Sequence, residues 1–344
     1  MRTVALVESP AQLLHVVEWA CAEGRDSDLS VVVLAPVQEV GRHQLRNMAA
    51  LARADGLDVV WHEARQGGAA TARTVRSLAG RLNGVDRLVV GDPFSGVLQV
   101  VMSISRATEV VVVDDGTATL EFVRQWRSGE QLARWHKVAA AGQRRQISAF
   151  ARDQISASLR WRLSRESGCR LSVFSCLDLP EASVPVVRHD FGWVRSRFGP
   201  PAVRPGVDLV GTSLVETGVV AVEAYVAGVA RLAAAHGIDR YFAHRRESEP
   251  KLAELARLGL EVVRPDLPLE IVARRGPVGA TVVSFPSTVV HTLPQVLRGT
   301  GVELLVCDIS DDWYVPAAPA RSETFLGDVT RSARDRFGLA AVAC

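Results

Sequence analysis

Two adjacent carboxylates, Asp114 and Asp115, follow the run Glu109-Val110-Val111-Val112-Val113 and precede Gly116. An acid beyond the end of a buried strand can take a proton from an attacking hydroxyl. The same tripeptide also suits a helix cap followed by a turn glycine. A second chemical stretch is Tyr241-Phe242-Ala243-His244-Arg245-Arg246-Glu247. An imidazole beside two guanidinium groups can give a proton or a hydrogen bond to an anion, although a lone histidine is also an ordinary structural residue. Glu270, in Pro268-Leu269-Glu270, opens a helix. It can accept from ribose hydroxyls or simply complement the helix dipole. Ser284, Ser287 and Thr288 run from strand into helix. Hydroxyls and free amides at a helix N-terminus suit a phosphate and equally make a plain cap.

These groups need a scaffold, and the chain supplies alternating signals for one. Four successive valines exclude a half-solvated strand and point to a strand covered on both faces, as in parallel sheets flanked by helices. Strands are expected at 3–7, 30–34, 57–61, 86–90, 110–113 and 171–176, with helices between them. Ser9 is a natural cap for the first helix, with Pro10 at its first position. A second series begins at Val207, with strands expected at 207–211, 239–243, 260–263, 281–285 and 302–307. Such alternation is the pattern of doubly wound α/β domains. The prolines at 180, 185, 200, 201 and 205 mark a linker. The expected divisions are therefore an N-terminal domain over 1–178, a linker over 179–206, a second domain over 207–320 and a terminal helix and tail over 321–344. Two such domains imply a cleft, and ligands of open α/β sheets bind beyond the carboxyl ends of the strands.

The composition restricts the class. At 344 residues, two domains are expected, and 48% hydrophobic with 23% charged residues is ordinary for a globular protein. No Gly-x-Gly-x-x-Gly follows the first strand and no Gly-Lys-Ser/Thr loop occurs, which argues against a nicotinamide or flavin dinucleotide and a P-loop nucleotide. The five cysteines have no metal-ligand spacing and read as reduced thiols of a cytoplasmic protein. No apolar run is long enough to span a bilayer. The net charge of +2 gives no bias toward nucleic acid. Within 124–170, however, arginines such as Arg124, Arg134, Arg144, Arg160 and Arg162, with Lys137, outnumber Glu130, Asp153 and Glu166, and Trp126, Trp135 and Trp161 are interleaved. This helical excursion reads as a solvated basic face or as a contact for anionic lipid headgroups at the inner membrane surface or for an anionic acceptor.

Taken in order, the motifs resemble the bacterial sialyltransferases and polysialyltransferase-like glycosyltransferases. Ser9-Pro10-Ala11-Gln12-Leu13 is similar to that family's opening Ser-Pro-x-Gln-Leu, and Asp114-Asp115-Gly116 to its Asp/Glu-Asp/Glu-Gly motif. Gly211 through Glu216 to Gly218 resembles its Gly-x-x-x-x-Glu-x-Gly stretch. His244 falls at its His-Pro motif, Glu270 at Pro-x-Glu, and Ser287-Thr288 at its Ser-Ser/Thr pair. Arg245 departs from the pattern by replacing the proline, which bears on the loop's geometry and on donor choice.

The resemblance implies a GT-B fold of two Rossmann-like domains, with the acceptor on the first and CMP-sialic acid on the second. It implies an inverting transfer that needs no metal or other cofactor. Asp114 would be the general base, with Asp115 supporting it or exchanging roles. His244 would stabilise or protonate the departing phosphate, Ser287 and Thr288 would bind that phosphate, and Glu270 would bind the ribose. Ser284 sits with the nucleotide group, while Ser9, Gln12, Gly116, Glu216 and Arg245 are acceptor-side or supporting candidates. The chemistry agrees: such a transfer needs one hydroxyl deprotonated and one phosphate stabilised. Two alternatives stay open: a transferase using another nucleotide sugar, and a non-catalytic glycan- or nucleotide-binding protein.

Overall fold

Runs such as Val110–Val113 offer no polar side chain for a solvated face, and all four valines are buried. The computed structural model describes residues 1–344 except 24–27, 64–67, 134–145, 180–183, 319–320 and 343–344. The chain divides into two units, Met1–Gly192 and Trp193–Cys344.

The first unit contains strands β1 (Thr3–Val7), β2 (Leu29–Leu34), β3 (Asp58–His62), β4 (Arg87–Val90), β5 (Glu109–Val113), β6 (Arg170–Ser175) and β7 (Val186–Arg188). Its described helices are α1 (Pro10–Ala22), α2 (Glu39–Ala54), α3 (Gly68–Arg81), α4 (Gly96–Ile104), α5 (Thr117–Ser128) and α6 (Gln146–Leu163). The strands form one sheet in the order β3-β2-β1-β4-β5-β6-β7, and every pairing is parallel. Parallel neighbours need crossovers, and the intervening helices supply them. α2 shows the pattern that packs a helix on such a sheet, burying Gly41, Gln44, Leu45, Met48, Ala49 and Ala52 along one stripe.

α7 (Gly192–Phe198) spans the division. The second unit holds β8 (Val203–Val210), β9 (Ile238–Phe242), β10 (Glu261–Val263), β11 (Val278–Ser284), β12 (Glu303–Cys307) and β13 (Ala340–Val342). Its helices are α8 (Val222–His236), α9 (Glu249–Arg257), α10 (Leu269–Arg275), α11 (Val289–Val296) and α12 (Arg321–Phe337). They build an all-parallel sheet in the order β10-β9-β8-β11-β12-β13. Tyr225, Tyr241, Phe285 and Trp313 anchor its core. Both sheets reverse direction after their first strand, at β1/β4 and at β8/β11, which are the switch points where open sheets of this kind take ligands.

The expected α/β architecture of two doubly wound domains is present. Its divisions differ in detail. The proline-marked segment 179–206 is not wholly linker, because β7 extends the first sheet and β8 already begins at Val203. The terminal segment is integral to the second unit, since β13 pairs with β12. Cys21, Cys169 and Cys176 are free thiols, whereas Cys307 is in a disulfide, which corrects the expectation of reduced thiols at that position.

Candidate functional site

Strand register lines up the first unit's polar residues. Leu6, Val90, Val112 and Val173 are successive partners across β1, β4, β5 and β6. Two residues further on, this row carries Glu8, Asp92, Asp114 and Ser175, with neighbouring strands about 4.8 Å apart. The Ser175 hydroxyl donates to Asp114 Oδ1 at 2.6 Å and the Cys176 N–H to Asp114 Oδ2 at 2.6 Å. Asp114 is 1% exposed, so it sits beneath the turn with both oxygens engaged. Asp115 is half-buried, and its N–H donates to Thr119 Oγ1 at 2.9 Å. Gly116 then takes φ 64° and ψ −134° to start α5, a conformation that glycine enters without a Cβ clash. The structure therefore brings the two acids together at different depths, with Asp115 nearer the surface.

Two histidines lie behind Asp114. His189 Nε2 is 3.9 Å from Asp114 Oδ2 and 3.1 Å from His15 Nδ1. Phe174 stacks on the His189 ring at 4.5 Å. Burial, before any other influence, holds both histidines near pKa 3, so they are neutral. The Phe191 N–H donates to His189 Nδ1 at 3.4 Å, which assigns the ring proton to Nε2 and makes His15 Nδ1 its acceptor. His15, Asp114 and His189 have ligand-type atoms within 4.8 Å of one another, a spacing a metal could use. With the Nε2 proton directed into that gap, the arrangement is a hydrogen-bonded chain rather than a set of open lone pairs.

Ser9 and Gln12 serve the β1–α1 turn. Ser9 Oγ accepts the Gln12 N–H at 3.2 Å, and Gln12 Oε1 accepts the Glu8 N–H at 2.7 Å. They are 8% and 2% exposed, and these bonds build the turn. Glu8, which sequence reasoning passed over, is the half-buried carboxylate at the switch point and accepts the Ser95 hydroxyl at 2.9 Å. Its place at the end of the first strand was the available signal.

In the second unit, Val210 partners both Phe242 and Ser284, so Thr212, His244 and Pro286 share one row beyond β8, β9 and β11. His244 is half-buried. Its N–H donates to Glu247 Oε1 at 2.8 Å, and its Nδ1 accepts the Arg246 N–H at 3.2 Å. The ring proton is thereby assigned to Nε2. Burial first, then the positive charges of Arg245, Arg246 and Lys251, lower its pKa to about 3. Near neutral pH this imidazole donates a hydrogen bond without being an acid. Arg245 is half-buried beside it.

Glu270 lies in the first turn of α10, where its Oε1 accepts the Thr292 hydroxyl at 2.7 Å. Burial raises its pKa, against the opposing Thr292 bond and Arg245 charge. Ser287 and Thr288 are half-buried before α11, and Ser287 Oγ accepts the Val289 N–H at 3.3 Å. Ser284 is 5% exposed and donates to the Phe285 carbonyl at 3.0 Å, so it belongs to the strand's end and is set apart from those two hydroxyls. Glu216 accepts the Ser248 N–H at 3.0 Å and the Lys251 ammonium at 3.0 Å. It thereby ties two turns together. Glu247 and Lys251 were missed, because an acid four residues before a lysine reads as a surface helix pair.

A cavity of about 340 Å³ in this unit is lined by Pro286, Asp308, Asp311, Tyr314, Glu323 and Arg331, among others. Burial and then Glu323, Asp311 and Asp308 raise the Tyr314 pKa. Such acid-rich walls suit a phosphate poorly.

The described part of the basic tract is largely engaged within the chain. Arg124 pairs with Glu121 and Glu130, Arg160 donates to the carbonyls of Gln125, Trp126 and Glu130, and Arg162 to those of Ser105 and Ala107. Arg134, Trp135, Lys137, Arg144 and Arg145 lie outside the described residues. No described helix is long and apolar enough to cross a membrane.

Comparison with solved structures bears on the architecture. The chain is similar to the alpha/beta-galactoside alpha-2,3-sialyltransferase of Photobacterium phosphoreum, with a TM-score of 0.56 at 11% identity over 99% of this chain and 98% of that one. The fold is GT-B. A second GT-B structure, the 2,6-sialyltransferase of Photobacterium sp. JT-ISH-224 in complex with CMP and lactose, has a TM-score of 0.51 at 9% identity, covering 99% of this chain and 78% of that one. A putative UDP-N-acetylglucosamine 2-epimerase from Listeria monocytogenes has a TM-score of 0.52 at 12% identity, covering 99% and 91%. No protein-family model matches the sequence, nor does any curated protein. A shared GT-B scaffold leaves the reaction to be argued from the residues.

Proposed function

We propose that this protein is an inverting glycosyltransferase that moves sialic acid or a related nonulosonic acid from a CMP-activated donor to a glycan acceptor. The observation that carries the proposal is the shared row beyond β9 and β11, which holds neutral His244 after the one and leads into Ser287-Thr288 and α11 after the other. His244 Nε2–H and the two hydroxyls are hydrogen-bond donors for a departing CMP phosphate. Glu270 takes the ribose hydroxyls with the oxygen turned away from Thr292. Asp115, the less buried acid, removes the acceptor's proton, and Asp114 fixes the turn from below. The bond from the anomeric carbon to the phosphate breaks as the acceptor oxygen bonds to that carbon. The proton goes to Asp115 and the electron pair to the phosphate. The ordered motif resemblance supports CMP and a nonulosonic acid as donor.

A second reading keeps the scaffold with another nucleotide sugar, and Arg245 in place of the motif's proline is the observation that favours it. Calorimetry with CMP, UMP, GMP and ADP in the presence of a chelator separates the two. Selective CMP binding that is lost in Ser287→Ala/Thr288→Ala supports the first. Preference for another nucleotide replaces the donor, and no binding to any of them supports a non-catalytic protein.

A further inference from the structure

Among 40 basic residues the chain has only two lysines, Lys137 and Lys251. The Lys251 side chain is fully buried. Its ammonium lies 3.0 Å from the Thr212 carbonyl, 3.0 Å from Glu216 Oε2 and 3.4 Å from Glu247 Oε2. It also sits 4.5 Å from the centre of the Tyr225 ring. Burying an ammonium costs several kcal/mol unless partners surround it, and here two carboxylates, a carbonyl and an aromatic face do so. The Tyr241 hydroxyl donates to Glu247 Oε2 at 2.8 Å, and the Tyr225 and Tyr241 hydroxyls bond at 2.7 Å. The cluster lies so close to Gly211 that a Cβ there would be 2.2 Å from Glu247 Oε1 and 2.3 Å from the Tyr241 oxygen. This close approach explains the glycine that begins the Gly211-to-Gly218 motif.

Each carboxylate meets the ammonium with one oxygen and holds a backbone N–H with the other. Glu247 Oε1 accepts from His244 and Glu216 Oε1 from Ser248. The two ends of the 244–248 turn are thus fastened to a single buried charge. We propose that Lys251 is a positioning residue for His244: its ammonium sets the two carboxylates that hold this turn and so aims the imidazole Nε2–H at the donor phosphate. The proposal rests on the function proposed above. Lysine is suited to the place because a compact ammonium meets oxygens from several directions, whereas a guanidinium makes a planar fork. The chain uses that fork elsewhere, where Arg240 grips Asp208 through two nitrogens at 2.9 and 2.7 Å.

The test uses the full chain and its Lys251→Arg variant, which keeps the charge and changes its shape. Amide hydrogen exchange at His244 and Ser248 should quicken by about tenfold or more, while the Tyr241 and Phe242 amides inside β9 hold their protection. In transfer assays kcat should fall by about 10- to 100-fold with the donor KM within about threefold, the signature of a misplaced group acting in the transition state. A folded variant with unchanged amide protection and kcat within about twofold of wild type would overturn the proposal. If Lys251→Arg does not fold, Tyr241→Phe, which removes the donor to Glu247 together with the bond to the Tyr225 hydroxyl, decides on the same two readouts with a smaller shift expected. A wild-type chain that neither binds CMP nor transfers overturns the functional reading instead, and the exchange measurement still scores the hold on the turn.

Discussion

The Ser175 hydroxyl donates to the buried carboxylate of Asp114 across 2.6 Å, joining the ends of β5 and β6. Asp115, one residue on, lies at the half-buried side of the same turn. Adjacent acids in one motif therefore have separable tasks. Asp115→Asn should lower kcat by about 10²–10⁴-fold, the range for a lost general base, with thermal stability near wild type. Asp114→Ala strands two buried donors and should cost about 1–3 kcal/mol for each, read as a lower denaturant midpoint. Equal stability losses for the two variants would remove the distinction.

His244 carries its proton on Nε2 and has a pKa near 3. The pH–rate profile should therefore show no limb from this residue between about pH 5 and 8, and His244→Ala should reduce kcat by about 10²–10³-fold. A wild-type limb near pH 6.5 that disappears in His244→Ala would show that the imidazole works as an acid.

The hydroxyls around α11 divide in the same way. Ser287→Ala combined with Thr288→Ala should weaken CMP binding by about 10- to 100-fold in calorimetry, as expected for lost bonds to a charged group. Ser284→Ala should leave CMP affinity within about threefold, because its hydroxyl is spent on the Phe285 carbonyl. Equal losses for both variants would place Ser284 in the nucleotide group after all.

Buried neutral histidines set the acid limit of stability. His15, His189 and His244 fall from an ordinary value of 6.5 to about 3. Between those values the unfolded chain binds protons that the folded chain refuses, so stability drops as pH falls. Glu247, pushed up by burial to about 7 from 4.5, has the opposite sign, because its folded form keeps a proton that the unfolded form releases. It loses stability as pH rises through that window and partly offsets the histidines there. Below 4.5 the offset ends, so the unfolding free energy should fall most steeply from there toward 3, by about 1.4 kcal/mol per pH unit for each uncompensated histidine, read as a lower denaturant midpoint. A midpoint unchanged from pH 6 to 3.5 would contradict this account.

The strands were legible because four buried valines, or Val282-Val283 before Ser284, leave no alternative to a covered strand, and parallel order follows from the helices between them. The polar network was not. Asp114 reads as an available base until Ser175 and Cys176, 61 and 62 residues away, are seen on its oxygens. Ser9 was read correctly as a cap, yet its motif neighbour Gln12 folds back on Glu8. The prolines around 180–205 concealed β7, which gains its pairing from β6 and shows little local pattern of its own. Glu247 and Lys251 have the spacing of a solvated helix pair, and only the Glu216 and Thr212 turn closing over them puts the pair inside.

That enclosure turns one amine into a clock. An acylating reagent can reach the Lys251 nitrogen only when the surrounding oxygens and the Tyr225 ring have let go of it. In a chain where arginine carries almost all the positive charge, modification at this site would report how often the second unit breathes open, with Lys137 the one other lysine to tell apart from it.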